Sequence, residues 1–151
     1  METLWQQAYP SECVVVRPTG IYGTSVTRMI KLAETTKSYP KLHWSNRIHI
    51  DDLVAFLAHL LHVEHTEKSY ICSNSQPLPL HEIIQWFQQQ LVFPALVLES
   101  NMPSGKQIYA TRMQQMNFEL QHPHCFDDYL ALLVKALSLI HISEPTRRTP
   151  I

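Results

Sequence analysis

Two glycines close together mark the first stretch of this chain that could do chemistry. Gly20 and Gly23 follow a run of valines within residues 13–23 (CVVVRPTGIYG), although the whole sequence has only three glycines. Glycine is needed where φ is positive or where a ligand approaches bare backbone. A buried strand that leads into a glycine-bearing loop is how open α/β sheets present backbone to a ligand. The stretch therefore predicts one wall of a ligand site, and a tight turn remains the alternative interpretation.

Nine histidines and three cysteines raise the question of a metal site. His59, His62 and His65 recur every three residues, and residues 122–125 (HPHC) form a compact nitrogen and sulfur cluster. On a helix the third histidine of the first set lies about 240° around the axis from the first. No H-E-x-x-H pattern is present. We therefore assign no metal ligand and expect solvated or capping histidines, with a histidine-rich metal-binding protein as an alternative hypothesis.

Composition predicts a soluble protein with one main core. The chain has 151 residues, 45% of them hydrophobic and 17% charged, and a net charge of −1. This balance offers no basic face for nucleic acid, and no apolar stretch is long enough to span a membrane. The cysteines are widely spaced and odd in number, at Cys13, Cys72 and Cys125, which favours reduced thiols in a cytoplasmic protein.

Alternating strands and helices must position these residues. Hydrophobic periodicity predicts helices over residues 1–9, 25–36, 51–61, 80–91, 110–116 and 126–137, and strands over residues 14–17, 46–50, 69–72 and 96–98. This alternation predicts the α/β class.

Several side chains have expected places within these elements. Asp51 and Asp52 are expected to cap the third helix, with Leu53, Phe56, Leu57, Leu60 and Leu61 as its core stripe. Residues 88–90, a triple glutamine, are expected to face water. Residues 138–151 are expected to form no regular structure, as either a disordered or a non-native tail similar to translated adaptor sequence.

Three segments in this order carry a family resemblance: residues 15–23 (VVRPTGIYG), 47–53 (RIHIDDL) and 104–119 (SGKQIYATRMQQMNFE). Together they resemble the C-terminal half of an extended short-chain dehydrogenase/reductase of the NAD(P)-dependent epimerase/dehydratase type, and atypical members look nearest. The likeness spans about residues 2–133. It implies that residues 1–137 form the C-terminal part of a Rossmann-like fold together with a small α+β substrate lobe.

The resemblance also implies roles for particular residues. The nicotinamide side of the site would be lined by Pro18, Thr19, Gly20 and Ile21. Arg47 would face the substrate, and so would Lys106, for which a solvated surface position is the alternative. Arg17 either makes an ion pair within the fold or reaches a pocket. The implied cofactor is NAD or NADP, and the implied partner is a small-molecule substrate.

The sequence lacks two features of that family. It has no Gly-x-x-Gly-x-x-Gly turn for the pyrophosphate, and none of its six tyrosines is followed by lysine four residues later. We therefore expect a C-terminal fragment without catalytic residues of its own, which alone neither binds dinucleotide tightly nor transfers hydride. The alternative is a non-catalytic NAD(P)-binding or interaction module that self-associates through an exposed sheet edge.

Overall fold

A computed structural model describes residues 2–143, with the side chains of residues 2–139. The helices are α1 (Glu2–Ala8), α2 (Thr27–Thr35), α3 (Ile50–Leu60), α4 (Leu80–Leu91), α5 (Thr111–Gln114) and α6 (Cys125–Ser143). The strands are β1 (Val15–Pro18), β2 (Gly20–Tyr22), β3 (Ser38–Tyr39), β4 (Leu42–Ser45), β5 (Arg47–His49), β6 (Ser69–Cys72), β7 (Leu78–Pro79), β8 (Val97–Leu98) and β9 (Pro103–Gly105). The predicted α/β class is confirmed. None of the described helices is both long and apolar enough to cross a membrane.

Two parallel strand pairs place the glycine-bearing loop. Strand β1 pairs with β6, with Pro18 opposite Cys72, and β2 pairs with β5, with Gly20 opposite Arg47. The single residue Thr19 separates β1 from β2, so the chain passes directly from one pair to the other. A smaller mixed sheet has the order β7-β4-β9, and β3 pairs with β8.

Two hydrophobic clusters hold these strands. The first joins α2, α4 and α6 through Val26, Ala33, Ile83, Phe87, Cys125, Tyr129 and Leu133. The second packs α3 and α5 against β5 and β6 through Ile48, Leu53, Phe56, Tyr70, Cys72, Ala110 and Met113. Strand β5 places Ile48 in the second cluster, while the neighbouring Arg47 lies beside Cys125 and Tyr129 of the first.

The predicted exposure of the triple glutamine is wrong for its first member. Gln88 is 1% exposed. Its side-chain amide donates to the carbonyl oxygens of Ala33 and Thr36, at 3.1 and 2.9 Å, and its oxygen accepts from the Leu96 N–H at 2.8 Å. The last carbonyls of a helix lack partners within the helix. Gln88 therefore closes the end of α2 and fixes the start of the β8 segment.

The predicted core stripe of α3 is also partly wrong. Phe56 is fully buried, but Leu57 is 42% exposed and Leu61 is 83% exposed. They border an apolar groove that also includes Val14, Val16 and Val63. The 3.6-residue period identifies the apolar face of a helix, but it does not say whether another element covers the whole of that face.

The last helix extends further than predicted. It runs to Ser143, six residues beyond the expected end at residue 137, so the unstructured tail does not begin at residue 138. The prediction for residues 144–151 falls outside the described residues. Helix α2 begins at Thr27, and the Ser25 hydroxyl oxygen accepts from the Thr27 N–H at 3.2 Å.

Candidate functional site

The loop after β1 is exposed, but its first amides are already used. Pro18, Gly20 and Ile21 are exposed, and Ile21 is 52% exposed. The Thr19 N–H and hydroxyl both donate to the Cys72 carbonyl at 3.0 Å, and the Gly20 N–H donates to the Asn46 carbonyl at 3.1 Å. A ligand at this loop would therefore meet carbonyl oxygens, side chains and the bare Cα of Gly20, and would not receive hydrogen bonds from these two amides.

Glycine is required at positions 20 and 23 for different structural reasons. Gly23 has φ +118°, and a Cβ there would lie 2.4 Å from Nε2 of His49. Its lack of a side chain is therefore required by packing within the protein. Gly20 has no positive φ, and a Cβ there would lie 3.0 Å from the Asn46 carbonyl oxygen. Of the two, only Gly20 is exposed on the loop.

A cavity of about 360 Å³, the loop pocket, lies beside this loop. It is lined by Arg17, Pro18, Thr19, Gly20, Asn46, Ile71 and Ile108. The Asn46 side chain donates to the Lys106 carbonyl at 2.7 Å and accepts from the Ile108 N–H at 2.8 Å. Asn46 thus holds residues 106–108 against the loop. Sequence reasoning missed this residue, since its partners lie about sixty positions away.

A second cavity, the arginine pocket, shares Gly20 and Asn46 with the loop pocket. It has a volume of about 220 Å³ and is lined by Gly20, Ile21, Tyr22, Thr24, Ser25, Arg28, Met29, Ser45, Asn46, Arg47, Leu80, Ile83 and Tyr129. Arg47 is 5% exposed. Its Nη2 donates to the Ser45 hydroxyl, and its Nη1 is shielded from solvent and has no hydrogen bond of normal geometry among the described residues, although the guanidinium lies close enough to Cys125 and Tyr129 to influence both. Sequence reasoning identified Arg47, and the structure places it at a cavity.

Burial is the main influence on the pKa of two groups beside Arg47, the Tyr129 hydroxyl and the Cys125 thiol. It raises the pKa of the Tyr129 hydroxyl to about 12, against the opposing effect of the Arg47 charge. Burial also raises the pKa of the Cys125 thiol, with the same opposition from Arg47. Both side chains therefore stay protonated near neutral pH. Neither is poised as a nucleophile or a base at that pH.

A polar cluster formed by Tyr22, His49, His122 and Asp128 joins β2, β5 and α6. The Tyr22 hydroxyl donates to one oxygen of Asp128 and His122 Nδ1 contacts the other, both at 2.6 Å. The rings of His49 and His122 stack with centroids 3.7 Å apart. Burial and the bond to Asp128 raise the pKa of Tyr22. Burial lowers the pKa of His122, but the Asp128 hydrogen bond and nearby carboxylates outweigh it, so the net shift is upward.

The one candidate metal group in the part of the chain that the structure describes combines His122 with residues outside the histidine clusters seen in the sequence. Within residues 2–139, the group that brings three candidate ligands within 4.8 Å of one another is His49, His122 and Asp128. The two imidazoles are nearly parallel, at 9°. Because lone pairs lie in the ring plane, two stacked rings cannot both direct a nitrogen at one ion. His49 Nδ1 is also occupied, since it accepts from the Asp51 N–H at 3.0 Å.

The predicted capping role of Asp51 and Asp52 is wrong. His49 occupies the N-cap of α3 and its side chain makes the cap hydrogen bond. Asp52 is fully buried and accepts from the backbone N–H groups of Gln121 and His122, at 2.7 and 2.9 Å. The acidic pair therefore includes one residue that anchors the segment before α6.

The remaining candidate site residues, Arg17 and Lys106, lie at the protein surface. Arg17 pairs with Glu2 at 2.9 Å, with both side chains about half exposed. Lys106 is exposed and lines neither the loop pocket nor the arginine pocket, although its carbonyl is held by Asn46.

Comparison with known proteins gives structural matches. No family model matches the sequence, and no curated protein matches it. A protein of Methylobacillus flagellatus described as an NAD-dependent epimerase/dehydratase superposes with a TM-score of 0.66 and 29% identity, over 88% of this chain and 51% of that chain. This chain has the fold of an epimerase/dehydratase half. A dTDP-glucose 4,6-dehydratase from Bacillus anthracis, in complex with NAD, superposes with a TM-score of 0.60 and 16% identity, over 79% and 43%.

A human epimerase family protein with NADPH gives a TM-score of 0.57 at 19% identity, over 74% of this chain and 44% of that chain. At these lower identities the likeness shows the fold alone. The chain spans about half the length of the solved structures that it matches. Its resemblance to the epimerase/dehydratase fold is thereby confirmed, and coverage of about half of each solved chain is consistent with the expected C-terminal half.

Proposed function

We propose that this chain supplies the nicotinamide-side loop and the substrate lobe of an NAD(P)-dependent oxidoreductase of the epimerase/dehydratase type. The observation that carries the proposal is the exposed loop of residues 18–21, which follows a parallel strand and borders a cavity of about 360 Å³. Ligands of open α/β sheets bind beyond the carboxyl ends of the strands. Matched structures with the same fold contain NAD or NADPH.

In this proposal the loop provides a surface that packs against the nicotinamide ring. Pro18 and Ile21 are exposed and would pack against the faces or edges of the ring. Gly20 would let the ring approach the backbone, and Thr19 holds the loop to β6 through its two bonds to Cys72. Arg47 would hold the substrate from the arginine pocket, and Lys106 would contact it from the surface beside the loop pocket.

The chain by itself should be inactive in this role. Its sequence has no glycine-rich turn to hold the pyrophosphate and no tyrosine–lysine pair to act as acid and base. Binding energy for the dinucleotide would come from the ring end only. We therefore expect NADH to bind with a dissociation constant in the millimolar range, about 4 kcal/mol of binding free energy.

Amide chemical shifts of the full chain during NADH titration test the proposal. The amides of Thr19, Gly20 and Ile21 should shift and saturate only at millimolar concentration. Ile71→Arg should remove these shifts, because Ile71 lines the loop pocket and is exposed. Val97→Arg, at an exposed valine on β8 that does not line this pocket, is the control and should leave them unchanged. Micromolar affinity, or shifts that ignore the loop, would refute the proposal.

An interaction module is the second candidate, and open strand edges favour it. Among the described residues β1 and β6 pair only with each other, so each has an unpaired edge. Ile71 on β6 is 42% exposed, and the groove between β1 and α3 includes the exposed Leu61. Unpaired edges beside apolar surface favour association. Light scattering after size exclusion tests this: a dimer or larger species would support it, and a compact monomer would exclude it.

A further inference from the structure

A third cavity, the outer pocket, lies over the parallel pair of β1 and β6. It has a volume of about 370 Å³ and is lined by Arg17, Ser69, Ile71, Tyr109, Thr111 and Arg112. Successive side chains of a strand point to opposite faces. Val16, Tyr70 and Cys72 pack into the second hydrophobic cluster. Arg17 and Ile71, at the alternate positions, therefore lie on the other face of the pair, which that cluster does not cover.

The lining of the outer pocket carries two guanidinium groups and no acidic side chain. Arg112 Nη1 donates to the carbonyl and to the hydroxyl of Ser69, at 2.9 and 3.0 Å, which holds this guanidinium at the start of β6. Among the described residues Arg112 has no ion-pair partner, and its Nη2 has no acceptor. The residue is exposed, so a ligand can reach this nitrogen from solvent.

The second cation of the outer pocket, Arg17, already binds a carboxylate. Its Nη2 donates to Glu2 of α1 at 2.9 Å, and both side chains are about half exposed. Exposed ion pairs contribute little to stability, and α1 contains no buried residue. The contact therefore shows the chemistry that Arg17 accepts at this position, and the carboxylate of a ligand can replace that of Glu2 at little cost.

The sheet register sets the separation of the two cations. Arg17 lies opposite Ile71, whereas Arg112 is anchored at Ser69, two residues earlier on β6. Two residues of a strand span roughly 7 Å, so the cations are anchored about that far apart along the sheet. This separation suits two anionic groups joined by a short carbon chain better than one compact ion. Ile71 and Tyr109 are both exposed at the cavity and provide apolar surface for that chain.

We propose that the outer pocket binds a small dicarboxylate, with Arg112 on one carboxylate and Arg17 on the other. In the absence of ligand, Glu2 occupies Arg17 and competes for it. The site adjoins the loop pocket through Arg17 and Ile71, but it requires neither a dinucleotide nor hydride transfer. It is therefore independent of the proposed function.

Titration of the full chain with succinate, and separately with acetate, tests the site at constant ionic strength set by chloride. The readout is the amide shifts of Ser69, Thr111 and Arg112. Succinate should give a saturable shift at millimolar concentration, and acetate should bind at least about tenfold more weakly, because it reaches one cation at a time. Since both arginines are exposed, ligand binding here should be weakened by salt.

Two pairs of variants separate a built site from general attraction between charges. Arg112→Gln should weaken succinate binding about fivefold, as expected for one exposed ion pair. Lys31→Gln removes the same charge at an exposed position of α2 outside the cavity and is its control. Glu2→Gln should strengthen binding, because it removes the competing carboxylate. Glu34→Gln, also exposed on α2, is the control for that change.

Three results would overturn the site. They are equal affinities for succinate and acetate, no saturation by succinate below about 50 mM, and equal effects of each variant and its control. If Arg112→Gln does not fold, Glu2→Gln against Glu34→Gln still decides, since tighter binding in the first alone requires a ligand at Arg17. No dinucleotide is present in these titrations, so their failure leaves the loop shifts with NADH as a separate result.

Discussion

Replacement of Gln88 by methionine should strongly destabilise the protein. Methionine has nearly the volume of glutamine and leaves the packing with Phe87 and its neighbours in place. It removes all three hydrogen bonds that the Gln88 side chain makes, to Ala33, Thr36 and Leu96. The change thus isolates the polar contribution of one residue that is 1% exposed.

The expected cost follows from the groups that lose their partner. Two carbonyl oxygens at the end of α2 and one N–H before β8 would be left without Gln88. Each hydrogen bond contributes about 1 kcal/mol net, and each buried group left unsatisfied costs about 1–3 kcal/mol. Partial access of water at the helix end reduces the sum, so we expect about 3–5 kcal/mol. A domain of this size is stable by roughly 5–15 kcal/mol, so the loss is a large share.

Urea denaturation followed by circular dichroism measures this difference. The midpoint should fall by roughly 2 M at an unchanged slope, for a slope of about 2 kcal/mol per M. Gln89→Met is the matched control, because Gln89 is the next residue of the same helix and is exposed. It should change stability by no more than about 0.5 kcal/mol. If both variants unfold at the same urea concentration, the three bonds do not stabilise the fold and the reasoning fails.

Three further predictions concern the polar cluster and its surroundings. Asp52→Ala should lower the free energy of unfolding by about 3 kcal/mol, since two backbone N–H groups lose a buried carboxylate acceptor. Asp51→Ala, which removes an exposed carboxylate, should lower it by less than about 1 kcal/mol. Urea denaturation midpoints compare the two variants. Wild type should be more stable than His122→Gln, and this difference in unfolding free energy should be complete below about pH 6.5. It should shrink as the pH rises through the raised pKa of His122. Unfolding free energies measured from acid to alkaline pH test this. Gly23→Ala should cost about 3 kcal/mol in thermal unfolding, because φ is +118° and the added Cβ meets His49.

Local patterns were enough to predict most elements. The valine run predicted β1, and the apolar spacing of residues 80–91 predicted α4 with its buried Ile83, Ile84 and Phe87. Both depend on neighbours in sequence, which is why periodicity reports them. Asn117, in the turn that follows α5, has φ 55°, a left-handed conformation that asparagine tolerates.

The roles of polar residues could not be predicted in the same way. Gln88, Asp52 and Asn46 look like surface or capping residues, yet each bonds backbone groups that lie far away in sequence. A glutamine beside two other glutamines carries no local sign that it is buried. The same limit applies to Asp51 and Asp52, because nothing in the pair itself tells which carboxylate faces the segment before α6. Tertiary contacts determine these roles, and local sequence patterns do not predict such contacts.

The structure changes how the glycine-bearing loop would work. If the amides of Thr19 and Gly20 were free, the loop could bind a carboxamide as a donor. Both N–H groups instead donate to the carbonyls of Cys72 and Asn46, so in the proposed function the loop would contact the ring through its surface. Arg47 lines the second cavity, which shares Gly20 and Asn46 with the loop pocket. In the proposed function a ligand would therefore meet the loop in one cavity and Arg47 in the other, with Asn46 between them. A change at Asn46 should disturb both cavities, whereas a change at Ile71 should affect chiefly the loop pocket and a change at Arg28 chiefly the arginine pocket.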